Sequence, residues 1–201
     1  MEHLFIQGKN PALAPLVLLH GTGGDERSLL QLAEIIAPEA SVLSFRGDVS
    51  EQGANRFFAR WADGSFDLDS LKEKTAQLIA EIKRLAEVYE FQADGIVAVG
   101  YSNGANIAAN AILTDSASFK KAILFHAMPS GEAMPDFSLD QARLFLTAGV
   151  NDPLISAAGS QALIDLLKSR GASVAELWTE NGHNLTLAEV EAARDWYVAQ
   201  S

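Results

Sequence analysis

Gly100-Tyr101-Ser102-Asn103-Gly104 sets a serine between two glycines, at the end of an apolar run and the start of a helical pattern. A strand that turns sharply into a helix needs glycines there, because side chains in so tight a turn would clash. The serine is then presented at the turn, with the helix's free N–H groups and dipole behind it to favour developing negative charge. A serine hydroxyl is a poor nucleophile at neutral pH. It needs a base to take its proton and a carboxylate to orient that base. Downstream, Asp152 follows an apolar run through Ala148-Gly149-Val150-Asn151 and precedes Pro153. His183 follows another run through Thr179-Glu180-Asn181-Gly182. In a strand–turn–helix setting of this kind the expected order is Ser, acid, His, and the chain supplies it. Each residue also has an ordinary reading: Asp152 as a turn residue, His183 as a loop histidine. Their joint order and placement decide between the readings. Of the other histidines, His3 belongs to an edge strand, and His126, at an earlier strand end, is read as a core or pocket-rim residue.

A second glycine-rich turn, His20-Gly21-Thr22-Gly23-Gly24-Asp25, follows the first long strand. Such loops can cradle phosphate, but no Gly-Lys-Ser/Thr follows and the spacing is not G-x-G-x-x-G, which disfavours a nucleotide site. Beside a nucleophilic serine, the loop instead supplies a backbone N–H to an oxyanion hole. Thr22 is expected to give one donor and Asn103 the other. The backbone carries the role, so the side chains there are free to vary.

The elements that position these groups alternate. Short unalternated apolar runs at 16–19, 42–45, 96–99, 122–125, 144–147 and 174–178 read as buried strands. Between them lie helical patterns near 29–36, 69–90, 105–113 and from Ser156 to a C-cap at Gly171. Thr186 and Glu189 have capping-box spacing ahead of a last helix. Strands of this kind separated by helices predict an α/β fold: a mostly parallel central sheet with helices on both faces. The 201 residues show no repeat or linker and read as a single domain. Residues 46–68 break the rhythm, being rich in glycine and polar residues yet carrying Phe57, Phe58, Trp61 and Phe66. This segment is expected to act as a minimal lid-like loop over the serine, with Phe57, Phe58 and Trp61 as substrate-pocket candidates. Plugging the core is the alternative for those aromatics.

Composition narrows the function classes. Hydrophobic residues make up 48% and charged residues 20%, the balance of a globular protein. Cysteine is absent, which removes disulfides, thiol nucleophiles and Cys-ligated metals. The net charge of −11 argues against nucleic acid and anionic membrane surfaces as partners. No membrane insertion and a cytoplasmic location are expected. An apolar helix face left exposed would support a homodimer.

Taken together, the His20-Gly21 loop, the Gly-Tyr-Ser-Asn-Gly turn, Gly149-Val150-Asn151-Asp152-Pro153 and Gly182-His183 resemble the α/β-hydrolase fold. More narrowly, they resemble the phospholipase/carboxylesterase family, which includes acyl-protein thioesterases. Arg46-Gly47, Glu51-Gln52-Gly53 and Arg56-Phe57-Phe58 resemble a bacterial subgroup of small carboxylesterase-like hydrolases, some of them connected with quinone or metal stress. The resemblance implies a catalytic triad of Ser102, Asp152 and His183, oxyanion donors Thr22 and Asn103, and no metal or cofactor. The chain departs from many thioesterase relatives in having Asn103 and then Gly104-Ala105 after the serine, which weakens the case for a fatty-acyl protein substrate. Dienelactone hydrolases share the fold but use a cysteine nucleophile, so their chemistry is disfavoured here.

The reaction expected is hydrolysis of small carboxylic, thio- or aryl esters through an acyl-enzyme, with the rate rising as His183 loses its proton. Fold does not fix function, and two other readings stand beside it. A non-catalytic ligand-binding or sensor protein would not react covalently at Ser102. An acyltransferase would pass the acyl group to an alcohol instead of water.

Overall fold

A computed structural model of the chain describes residues 1–131 and 135–200. Its strands are β1 (His3–Ile6), β2 (Leu16–Leu19), β3 (Val42–Phe45), β4 (Val49–Glu51), β5 (Ala54–Arg56), β6 (Val97–Tyr101), β7 (Lys121–Phe125), β8 (Arg143–Gly149) and β9 (Ser173–Thr179). Its helices are α1 (Leu30–Ile36), α2 (Leu68–Val88), α3 (Asn103–Thr114), α4 (Ala157–Ser169) and α5 (Leu187–Ala199). Seven strands form one sheet in the order β1-β3-β2-β6-β7-β8-β9. All neighbours pair in parallel except β1, which runs antiparallel on β3.

Both faces of this sheet are covered, which is why its central strands read as continuous apolar runs. Within β2 the side chains alternate. Val17 and Leu19 face a core shared with α2, α3 and α4. Leu16 and Leu18 face a second core with α1 and α5. Burying each such leucine stabilises by about 1.5–3 kcal/mol. Of three capped helix ends, two are as the sequence predicts, at Gly171 and at Thr186 with Glu189. Ser156 caps α4 by accepting from Gly159 N–H. Gly171 ends that helix with φ +93°. Thr186 and Glu189 close a reciprocal capping box on α5.

The segment 46–68 holds more structure than its composition suggests. Residues 49–56 form the two-stranded β4–β5 hairpin. Phe57 and Phe58 follow it into the α2–α3 core with no solvent exposure. The parallel strands β2, β6, β7, β8 and β9 all end at the same edge of the sheet. Open α/β sheets bind ligands at that edge.

Candidate active site

Ser102 stands between β6 and α3 with φ 51° and ψ −111°. A non-glycine residue there is strained, and the surrounding backbone must hold it. It does so closely. A Cβ on Gly100 would meet the first turn of α3, and one on Gly104 would meet the Leu19 carbonyl. The serine is therefore clamped between its own helix and the neighbouring central strand.

His183 Nδ1 lies 2.6 Å from Asp152 Oδ2. Its Nε2 lies 2.8 Å from Ser102 Oγ. A carboxylate only accepts, so Nδ1–H donates to Asp152, and Nε2 is left to accept from the serine hydroxyl. The Tyr101 hydroxyl donates to the His183 carbonyl at 2.7 Å, and the two rings stack. Asp152 Oδ1 accepts the backbone N–H of Leu154 and Ile155. Burial pushes the Asp152 carboxyl up. The His183 bond and the two amides outweigh burial and leave it below its ordinary value.

The two expected oxyanion donors border the same cleft of about 630 Å³ as Ser102 and His183. Asn103 is the first residue of α3, where amide N–H groups have no acceptor within the helix. Its side chain is not free to vary, contrary to expectation. Asn103 Oδ1 accepts the buried Phe57 N–H at 2.7 Å, tying the helix to the hairpin segment. The Thr22 hydroxyl accepts from Arg56 Nη1 at 2.7 Å. His20 adds a third tie. Its Nε2 accepts from Gly47 N–H at 3.0 Å, while Nδ1 donates to the Gly21 carbonyl at 2.6 Å. Burial holds the His20 ring below its ordinary pKa, consistent with a neutral ring.

The pocket candidates separate. Phe57 and Phe58 do not line the cleft: both are core residues, Phe57 against His20 and Phe58 edge-on to Phe66. Trp61 is 61% exposed and borders an adjoining cavity of about 590 Å³ instead. The reason is the hairpin, which turns the Arg56–Phe58 run inward, and the separate exposed turn closed by the Arg60–Phe66 bridge, which carries Trp61. The walls come from Phe66, Met128, Leu154 and Ile155, together with the guanidinium residues Arg56 and Arg60. Arg56 is only 3% exposed, bonds the Phe58 carbonyl and lies 3.6 Å from Glu51.

Two residues do more than the sequence reading gave them, His126 as a core or pocket-rim residue and Glu189 as a helix cap. His126, at the end of β7 with φ 54°, is buried behind Asp152. Its Nδ1 is 3.4 Å from Asp152 Oδ2, and its Nε2 is 2.9 Å from Glu189 Oε1. Glu189 is fully buried on α5. Position at the strand edge was the available signal for His126. Glu189 was visible only as a capping residue. Among the described residues, His126, Asp152 and His183 are the one group of three residues whose side chains could together hold a metal ion. Their donor atoms already face protein partners, the arrangement of a proton-handling cluster rather than a cation pocket.

A strained serine at a strand–helix turn, an acid and a histidine on later loops, and a mostly parallel sheet define an α/β-hydrolase. The dienelactone hydrolase family model matches residues 51–199, and the chain belongs to that family. It is 41% identical over 199 residues to MhqD of Bacillus subtilis (strain 168), covering 98% of both chains. The structure matches a Bacillus cereus carboxylesterase with TM-score 0.97 and 45% identity, covering 100% of this chain and 95% of the other. It matches YahD, solved with malic acid, with TM-score 0.94 and 38% identity, covering 100% and 99%. The chain is a hydrolase of the dienelactone hydrolase/carboxylesterase type; its motifs suggested the carboxylesterase side of this description and not the dienelactone hydrolase family. No helix among the described residues is long and apolar enough to cross a membrane.

Proposed function

We propose that this protein is a serine carboxylesterase that hydrolyses small carboxylic esters through an acyl-enzyme. The continuous hydrogen-bonded line Ser102–His183–Asp152 carries this reading. His183 removes the serine proton as Oγ attacks the ester carbonyl, and Asp152 holds the imidazole tautomer and stabilises its charged form. The N–H groups of Thr22 and Asn103 receive the oxyanion. One such donor is worth about 10²–10³ in kcat. His183 then gives its proton to the leaving alcohol. Water, deprotonated by the same imidazole, attacks the acyl group and releases the acid.

The 45% identical Bacillus cereus carboxylesterase supports an ester substrate. The open cleft of about 630 Å³, with guanidinium groups in its wall, favours small or polar esters over long lipids. The partner is thus a small-molecule ester, and the surface charge disfavours nucleic acid. The cytoplasm is the compartment that fits this reading.

The test is initial rates on p-nitrophenyl esters from acetate to laurate, run on the wild type and on Ser102→Ala, with fluorophosphonate labelling of both. We expect turnover and labelling in the wild type, a short-chain optimum, and loss of both signals in the variant. Equal turnover in the two proteins would refute the serine mechanism. An unlabelled, inactive wild type would support a binding protein.

A further inference from the structure

His126 is buried with a carboxylate on each side. Asp152 Oδ2 lies 3.4 Å from Nδ1, and Glu189 Oε1 lies 2.9 Å from Nε2. The two contacts are close approaches of ring nitrogen to carboxylate oxygen that fall short of hydrogen-bond geometry. Carboxylates only accept. A neutral imidazole carries one N–H and so turns a proton toward only one of the two carboxylates, whichever tautomer it adopts. Protonation at both nitrogens sets a positively charged N–H beside each.

The neighbouring charges point the same way. The titratable groups facing His126 are Tyr101 on β6, Asp152 beyond β8, His183 beyond β9 and Glu189 on α5. Burial keeps the Tyr101 phenol above its ordinary value, hence neutral. Burial raises the Glu189 carboxyl as well, but contacts from His126, Thr147 and the Thr186 hydroxyl and N–H outweigh it and leave it below its ordinary value. Asp152 lies below its ordinary value too. No lysine or arginine among the described residues forms an ion pair with either carboxylate. Two buried negative charges without a cation would be costly.

We propose that His126 is a positioning residue, held as an imidazolium between Asp152 and Glu189, that sets how strongly Asp152 supports the catalytic histidine. Asp152 Oδ2 is shared by His183 and His126. The Glu189 charge is cancelled by the ring in front of it, so His183 meets the field of one carboxylate, not two. When His183 gains the serine proton, the four side chains sum to zero charge. The inference rests on the triad reading for its kinetic consequence, but not for the charge state of His126.

The chain has four histidines, so ring ¹⁵N chemical shifts of the histidine-labelled full-length protein are tractable. We expect both His126 nitrogens to show the shift of a protonated ring at neutral pH in the wild type. The His126→Gln variant assigns the signals and removes the charge. Glu189 keeps its Thr186 donors there, which favour its carboxylate form. An uncovered negative charge then helps His183 hold its proton. A unit charge 5.3 Å from the His183 ring shifts a midpoint by roughly two pH units at an effective dielectric near 20. The acid limb of kcat/KM should accordingly move up by about one to two pH units, and His126→Gln/Glu189→Gln should return it toward wild type. A role in packing alone would lower kcat and leave the limb in place. A neutral His126 ring in the wild type, or an unmoved limb in folded His126→Gln, overturns the proposal. Retained turnover in Ser102→Ala would instead refute the triad reading and leave the charge of His126 to the ¹⁵N shifts.

Discussion

Gly100→Ala tests whether the clamp around Ser102 sets its reactivity. A Cβ at position 100 would lie 2.6 Å from Ala105 Cα and 2.7 Å from both Ala105 N and the Gly104 carbonyl carbon. Unstrained carbon contacts are about 3.5–4.0 Å. The first turn of α3 must therefore retreat from β6 by roughly 1 Å. The obstructing atoms are backbone, so no rotamer change relieves the clash. Overpacking of this kind costs about 1–3 kcal/mol. The retreating turn carries Ser102 and the Asn103 N–H. A 1 Å misplacement of reacting groups costs about 10²-fold in rate. Urea denaturation and kcat/KM on p-nitrophenyl acetate measure the two effects together. Gly95→Ala is the control, since nothing lies within 4 Å of its Cβ, and it should match wild type in both assays. A Gly100→Ala enzyme as stable and active as Gly95→Ala would refute the idea that α3 and β6 jointly fix the nucleophile.

Thr22→Val keeps the backbone N–H and deletes the hydroxyl that accepts from buried Arg56. It should lose about 1–3 kcal/mol of stability but less than about tenfold in kcat/KM; a hundredfold loss would mean that the hydroxyl meets the substrate. Phe66→Ala should change the acyl-chain preference and Trp61→Ala should not, as read from rates across the ester series, because only Phe66 borders the cleft. Asp152 and Glu189 sit below their ordinary pKa values in the folded protein. They contribute stability above the unfolded carboxyl pKa of about 4, and lose it as pH falls through the folded values. The carboxylate contribution to the urea midpoint should therefore fall away below about pH 5, less steeply in Glu189→Gln.

The sheet and its helices were legible because buried parallel strands leave unbroken apolar runs and their helices carry ordinary caps. The placement of Ser102, Asp152 and His183 was legible because each closes a strand at one edge. The pocket wall was not. Phe57 and Phe58 look like a lining when read along the chain, but the β4–β5 hairpin turns them into the core and leaves charged residues outside. Asn103 was read only as an amide donor, because its side-chain bond to Phe57 spans 46 residues. The contacts of His126 with Asp152 and Glu189 escaped for the same reason. They join elements far apart in sequence, and no local period records those.

The sheet order has a consequence for how activity arises. Asp152 and His183 ride on loops beyond β8 and β9, at one side of the sheet, whereas Ser102 follows the central β6. The Ser102 turn needs only the middle of the chain, but the proposed base and acid arrive with the C-terminal strands and α5. During refolding, the helical signal can therefore return while the protein is still inert. Recovery of ester turnover marks the docking of the last quarter of the chain, which makes the catalytic site a reporter of completed folding.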